Sequence, residues 1–245
     1  MKGLVPYLTG GIRPDWTRYL REYERNGATA IEIGLPFSDP ILDGPTIQEA
    51  SDRALRAGAS VATILAEVAA TKMTIPLIAM TYYNLVVHRG PELFCRELAD
   101  AGITGLIVPD LPIDEAGALA AAAEKHGVDL TLLAAPTTQP DRLAEIARRS
   151  RGFIYAISVM GTTGERDQIA ESGIRLAGEL RRLTDKPVLL AFGISRPEHA
   201  AAAAGVCDGV VVGAALMRRI LDGGTPEELG AVLGGFRRAL DSVAV

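Results

Sequence analysis

This chain of 245 residues is poor in the residue types that build metal clusters, disulfide frameworks and nucleic-acid faces. It holds two cysteines and three histidines. Cys95 and Cys207 cannot form a disulfide framework in a chain of this length. Cys95 lies in a helical pattern, Cys207 just before a strand, and both read as reduced structural thiols. His88, His126 and His199 show no metal-ligand spacing and read as surface or loop residues, so no metal is expected. Cations are not in excess: the net charge of −5 argues against a general nucleic-acid binder, which would usually show a basic face. No apolar run reaches the roughly 18 residues that a membrane span needs. Lys2 is followed by a short apolar run that Thr9-Gly10-Gly11 ends, which is not a secretory leader. The expected location is cytoplasmic. No GxGxxG follows the first apolar run, which removes the main signal for a dinucleotide-binding open sheet.

What is present is alternation. Eight short apolar runs read as strands: Leu4–Thr9, Ala28–Gly34, Pro76–Thr81, Gly105–Pro109, Asp129–Ala134, Gly152–Ser158, Pro187–Phe192 and Gly209–Gly213. Helical patterns lie between them, and Met217–Leu221 and Pro226–Ser242 close the chain. Strands alternating with helices imply βαβ units and a parallel sheet. Eight units in this length fit a single (β/α)₈ barrel domain over residues 1–245, since such barrels need about 250 residues. In that architecture the active site lies at the C-terminal ends of the strands.

One strand breaks the apolar rule. In Ala28–Gly34, side chains alternate, so Ala30, Glu32 and Gly34 point into the barrel while Ile31 and Ile33 meet the helices. A carboxyl in that place loses hydration, which raises its pKa and suits a group that donates and accepts a proton near neutral pH. A buried ion pair is the rival reading, but no basic residue stands at the same height on another strand. The loop that follows carries Asp39 before Pro40 and Asp43 before Gly44. Each is a turn residue by its neighbours, yet Asp43 lies directly above Glu32, where two carboxylates could flank one ligand. Across the barrel, the runs ending in Gly193-Ile194-Ser195 and Gly213-Ala214-Ala215 place glycines at strand ends, and a short helical stretch follows the second. Backbone N–H groups and a helix N-terminus there suit a phosphate; ordinary strand-to-helix turn glycines are the rival reading. The polar loop VMGTTGERDQ (159–168) is long enough to close over a site. Tyr155 shares a face with Phe153 and Ile157 and could line the pocket.

The segment PFSDPILDGPTIQ closely resembles the signature of the tryptophan synthase alpha subunit family. The resemblance runs nearly end to end through LVPYLTGG, MTYYN (80–84), GLIVPDLP (105–112), APTT (135–138), GTTGER (161–166) and FGIS (192–195). It implies a lyase of tryptophan biosynthesis that cleaves indole-3-glycerol phosphate to indole and glyceraldehyde 3-phosphate, with no metal or organic cofactor. By the match, Glu32 protonates indole C3 and takes the glycerol hydroxyl proton. Asp43 binds the indole N–H, and Tyr155 is a pocket tyrosine beside the glutamate. Tyr7 and Thr9 are first-strand residues near the ligand. Thr163 orders the closed loop. Gly164, Gly193 and Gly213 are phosphate-loop positions, and Ala214 supplies a backbone N–H. Asp39 and Asp110 serve loop closure and contact with a PLP-dependent beta subunit in an α₂β₂ complex, to which indole passes through a tunnel.

The chain departs from the family pattern at several points. The helix that usually precedes VPY is missing, TGGIRPDW replaces the usual loop after the first strand, Ala214 stands where serine is common, and SVMGTTG replaces SxxGVTG. Two other readings keep the same residues: a standalone lyase that releases free indole, and a ligand-binding activator of the beta subunit without useful turnover. A sugar-phosphate isomerase fits the glycines but not PFSDPILDGPTIQ.

Overall fold

The computed structural model describes residues 1–157, 171–191 and 193–243. Its strands in chain order are β1 (Gly3–Thr9), β2 (Ile31–Gly34), β3 (Leu77–Met80), β4 (Gly105–Ile107), β5 (Asp129–Thr131), β6 (Leu133–Ala134), β7 (Ile154–Ile157), β8 (Val188–Ala191) and β9 (Gly209–Val212). All pairings are parallel, in the order β5-β4-β3-β2-β1-β9-β8-β7-β6. The helices are α1 (Thr17–Arg25), α2 (Pro45–Arg56), α3 (Val61–Thr71), α4 (Tyr83–Arg89), α5 (Pro91–Asp100), α6 (Gly117–Lys125), α7 (Pro140–Arg149), α8 (Glu171–Leu183), α9 (Pro197–Ala204), α10 (Ala214–Leu221) and α11 (Pro226–Asp241).

Each of the eight expected strands is present, shorter at one or both ends except the first and the fifth. The fifth is divided at Leu132 into β5 and β6. Its first half pairs with β4 and its second with β7, so the break is where the sheet joins its own other edge. Leu130 accepts the Arg151 N–H at 2.9 Å, Leu132 donates its N–H to the Ser150 hydroxyl at 2.9 Å, and Leu132 accepts the Tyr155 N–H at 3.2 Å. These bonds close the barrel, as expected for eight βα units.

Two apolar clusters hold it. The larger lies between strands and helices and contains Trp16, Tyr19, Tyr23, Phe94 and Phe236. The smaller fills the barrel interior with Val5, Ile78, Ile107, Tyr155, Leu189, Ala191 and Val211. Capping boxes start α3 (Ser60 with Thr63) and α11 (Thr225 with Glu228). Proline opens α2, α5, α7, α9 and α11, where its missing N–H costs no bond. Helix α11 packs against α9 and α1, which completes the outer ring. No single described helix is long and apolar enough to cross a membrane.

Two features differ from the sequence reading. Helix α4 was not expected. His199 is not a surface or loop residue: it is buried in α9, with Nδ1 3.0 Å from the Gly193 carbonyl and 3.3 Å from both the N–H and the hydroxyl of Ser195. His88 and His126 are on the surface side of α4 and at the end of α6, and both cysteines are buried and free.

Candidate active site

Strand β2 carries Glu32 into the barrel because its neighbours Ile31 and Ile33, both fully buried, take the helix side. Tyr7 of β1 is its direct neighbour across the ladder, with Cα atoms in register. Both side chains rise into a cavity at the C-terminal end of the strands. The cavity is lined by Tyr7, Glu32, Asp43, Ile47, Met80, Tyr155, Gly193, Ile194, Ser195, Val211, Gly213, Ala214 and Ala215. Seven expected residues therefore meet around one space: Glu32, Asp43, Tyr155, Tyr7, Gly193, Gly213 and Ala214.

The carboxyls are unequal. Glu32 is buried and its Oε2 has no hydrogen-bond partner among the described residues, while the Tyr155 hydroxyl bonds to the carboxyl. Burial first, and the nearby Asp43 charge second, push its pKa up to about 8. Asp43 is less enclosed. Burial raises its pKa to about 6, opposed by a hydrogen bond from the Tyr82 hydroxyl. Burial favours the neutral form of both carboxyls, and of Glu32 more than of Asp43. A neutral acid beside a fixed negative charge is the arrangement that protonates a carbon and stabilises the cation so formed.

The remaining walls divide by chemistry. Ile47, Met80, Ile194 and Val211 supply apolar lining. Gly213 precedes α10, and the first amides of a helix have no acceptor within it. Gly193 and Ser195 line the same cavity, and free amides at a helix start can bind an anion.

Thr9 does not line the cavity. It is fully buried behind Tyr7, and its hydroxyl donates to the Tyr7 oxygen at 3.3 Å. Asp39 is exposed on the loop after β2, with the Ser38 hydroxyl 2.5 Å from its carboxylate. Asp110 lies outside the cavity and accepts the Tyr83 N–H at 2.9 Å. Thr163, Gly164 and the rest of the 159–168 loop lie outside the described residues, of which no three His, Cys, Asp or Glu form a metal-binding group. Sequence reasoning assigned no role to Tyr82, whose hydroxyl reaches Asp43 at 3.2 Å. The hint in the sequence was the tyrosine pair of MTYYN, with one residue between it and the end of β3.

Gly34 shapes this site through its missing side chain. A Cβ there would lie 1.9 Å from the Tyr7 hydroxyl oxygen and 2.5 Å from the ring carbon that bears it. Gly34→Ala must therefore expel the Tyr7 ring. The expected loss is about 1–3 kcal/mol of stability, the usual cost of overpacking. Thermal melts check it, and adding Tyr7→Phe should recover part of the loss because the oxygen is the nearest atom.

A sequence model of the family described as tryptophan synthase alpha chain matches residues 1–232. The chain belongs to the tryptophan synthase alpha chain family. The tryptophan synthase alpha chain of a Cyanothece species is 43% identical over 97% of this chain and 90% of that protein. Its counterpart from Gloeobacter violaceus is 44% identical over 96% of this chain and 87% of that one. Among solved structures, tryptophan synthase from Mycobacterium tuberculosis superposes with a TM-score of 0.89 at 39% identity, covering 98% of this chain and 92% of that chain. The closed parallel barrel is the fold that the PFSDPILDGPTIQ resemblance implied.

Proposed function

We propose that this chain is a tryptophan synthase alpha subunit, a single barrel domain that cleaves indole-3-glycerol phosphate to indole and glyceraldehyde 3-phosphate. The observation that carries the reading is the pair of unequal carboxyls, Glu32 raised to about 8 and Asp43 to about 6, in one cavity with apolar lining and a glycine-lined helix start. The Glu32 carboxyl gives its proton to indole C3, which leaves positive charge on the ring nitrogen. Asp43, ionised, accepts the hydrogen bond from that N–H and stabilises the charge. The Glu32 carboxylate then takes the glycerol hydroxyl proton as the carbon–carbon bond breaks. The bonding pair returns to the ring, the oxygen becomes the aldehyde of glyceraldehyde 3-phosphate, and Glu32 ends protonated. Tyr155 orients Glu32. Tyr7 packs beside the ring, with Thr9 behind it. Amides at Gly193, Gly213 and Ala214 hold the phosphate, joined by Gly164 with Thr163 ordering the loop, and this handle positions the substrate without reacting.

The proposed partner is a PLP-dependent beta subunit in an α₂β₂ complex. Ile41 and Leu42 are 73% and 43% exposed on the loop between Asp39 and Asp43. They border a second cavity that includes Asp110, Pro112 and Ile113. An exposed apolar face rimmed by carboxylates suits a subunit contact that transmits loop closure. The assay is indole release by the purified chain, alone and with a beta subunit. Slow release that rises strongly with the partner supports the proposal; fast release indifferent to it indicates a standalone lyase, and absence of release in both cases rejects the catalytic reading.

The two carboxyls also fix a pH profile. Asp43 must be ionised, so activity falls below about pH 6, and Glu32 must be protonated, so it falls above about pH 8. A bell centred near pH 7 is expected for kcat/KM, with both limbs belonging to the interacting pair. A profile flat from pH 5 to 9 contradicts the assignment of roles.

A further inference from the structure

Asp43 sits on a loop, and a loop carboxylate needs a second attachment to keep one direction. Its backbone is held locally: the Asp43 N–H donates to Pro40 O at 3.1 Å, and the Gln48 side-chain amide donates to Asp43 O at 2.8 Å. Neither bond touches the carboxylate. Tyr82 does. Its hydroxyl donates to Asp43 Oδ2 at 3.2 Å and accepts the Leu42 N–H at 3.0 Å. A hydroxyl has one hydrogen, so acceptance from Leu42 leaves that hydrogen for the carboxylate. The ring is buried and stacks on Phe37, with centroids 5.4 Å apart and planes at 27°. The base of the tyrosine is fixed as well, because the next residue, Tyr83, donates its N–H to Asp110 at 2.9 Å as α4 begins.

We propose that Tyr82 is a positioning residue for Asp43, its hydroxyl holding the carboxylate and the adjacent loop backbone in the direction that meets the substrate ring. The inference rests on the reading of the site as an indole-glycerol-phosphate lyase for its kinetic consequence, but not for the contact itself. The hydrogen bond is stronger to the ionised carboxylate than to the acid, so it also favours the charged form of Asp43. The other titratable groups facing this corner are Glu32 on β2, Tyr7 on β1, Tyr155 on β7 and Asp110 beyond Tyr82.

Two variants separate hydroxyl from ring. Tyr82→Phe keeps the stack on Phe37 and removes both hydrogen bonds; Tyr82→Leu removes the stack as well. For Tyr82→Phe, kcat for indole release is expected to fall about tenfold, the scale of one hydrogen bond to a charged group, with KM within about twofold. In the same variant the ¹³C-labelled Asp43 carboxyl titrates at higher pH than in the unaltered chain. Tyr82→Leu is expected to fall only slightly further. Unaltered kcat in Tyr82→Phe with loss only in Tyr82→Leu reduces the residue to packing and overturns the proposal. So does a lower kcat with no movement of the Asp43 titration. The titration needs no turnover. A chain that releases no indole refutes the lyase reading, while the shift in Tyr82→Phe still decides whether the hydroxyl holds Asp43.

Discussion

Glu32→Gln is expected to lower indole release by about a thousandfold or more, at the upper end of what general acid–base catalysis contributes. Glutamine fills the same volume and can still meet the Tyr155 hydroxyl, but it has no proton to give to indole C3 and cannot take one from the glycerol hydroxyl. Binding of a non-cleavable substrate analogue should stay within a few-fold, because the apolar lining and the phosphate-binding amides are untouched. Comparison of kcat and analogue Kd checks this; an active variant removes Glu32 from the reaction. The same substitution has a stability signature. Folding raises the Glu32 pKa from 4.5 to about 8, so between those values the folded chain holds a proton that the unfolded chain has released. Stability therefore falls as pH rises through that window. Glu32→Gln removes this slope, and its melting temperature should depend less on pH between 5 and 8 than that of the unaltered chain.

Asp43→Asn is the second large effect, an expected loss of about a hundredfold to a thousandfold in kcat, comparable to removal of one preorganised electrostatic partner. Asparagine still accepts a hydrogen bond from the indole N–H, so ground-state binding is largely kept. It carries no charge, and the cation formed when C3 is protonated loses its counter-ion. The lower limb of the pH profile, near pH 6, should disappear with it, because Asp43 is the group that must be ionised. Phosphate-analogue affinity should change little. Unchanged kinetics would place Asp43 outside the reaction.

Much of this site could be read from residue order because it depends on local periodicity. Alternation along Ala28–Gly34 puts Glu32 inside whatever the helices do, and Gly193 and Gly213 follow β8 and β9 by position alone. Three features were not legible, each for a tertiary reason. Helix α4 buries only Val86, so its sequence shows no apolar stripe. The break at Leu132 arises because its N–H is taken by the Ser150 side chain, 18 residues away. Tyr82 reaches Asp43 across 39 residues of sequence, and no spacing rule joins a strand end to the preceding loop. His199 failed by composition: histidine in an alanine-rich helix reads as a surface residue, but the buried Gly193 carbonyl and the half-buried Ser195 hydroxyl give its ring nitrogen partners.

The central claim is that a buried carboxyl keeps its proton at neutral pH beside an ionised one. The direct measurement is a ¹³C titration of the Glu32 carboxyl, assigned by its loss in Glu32→Gln. A midpoint near 8, with Glu32 neutral at pH 7, is the predicted result. A midpoint near the ordinary 4.5 would leave two ionised carboxylates in the cavity and no acid for indole C3, and would contradict the account.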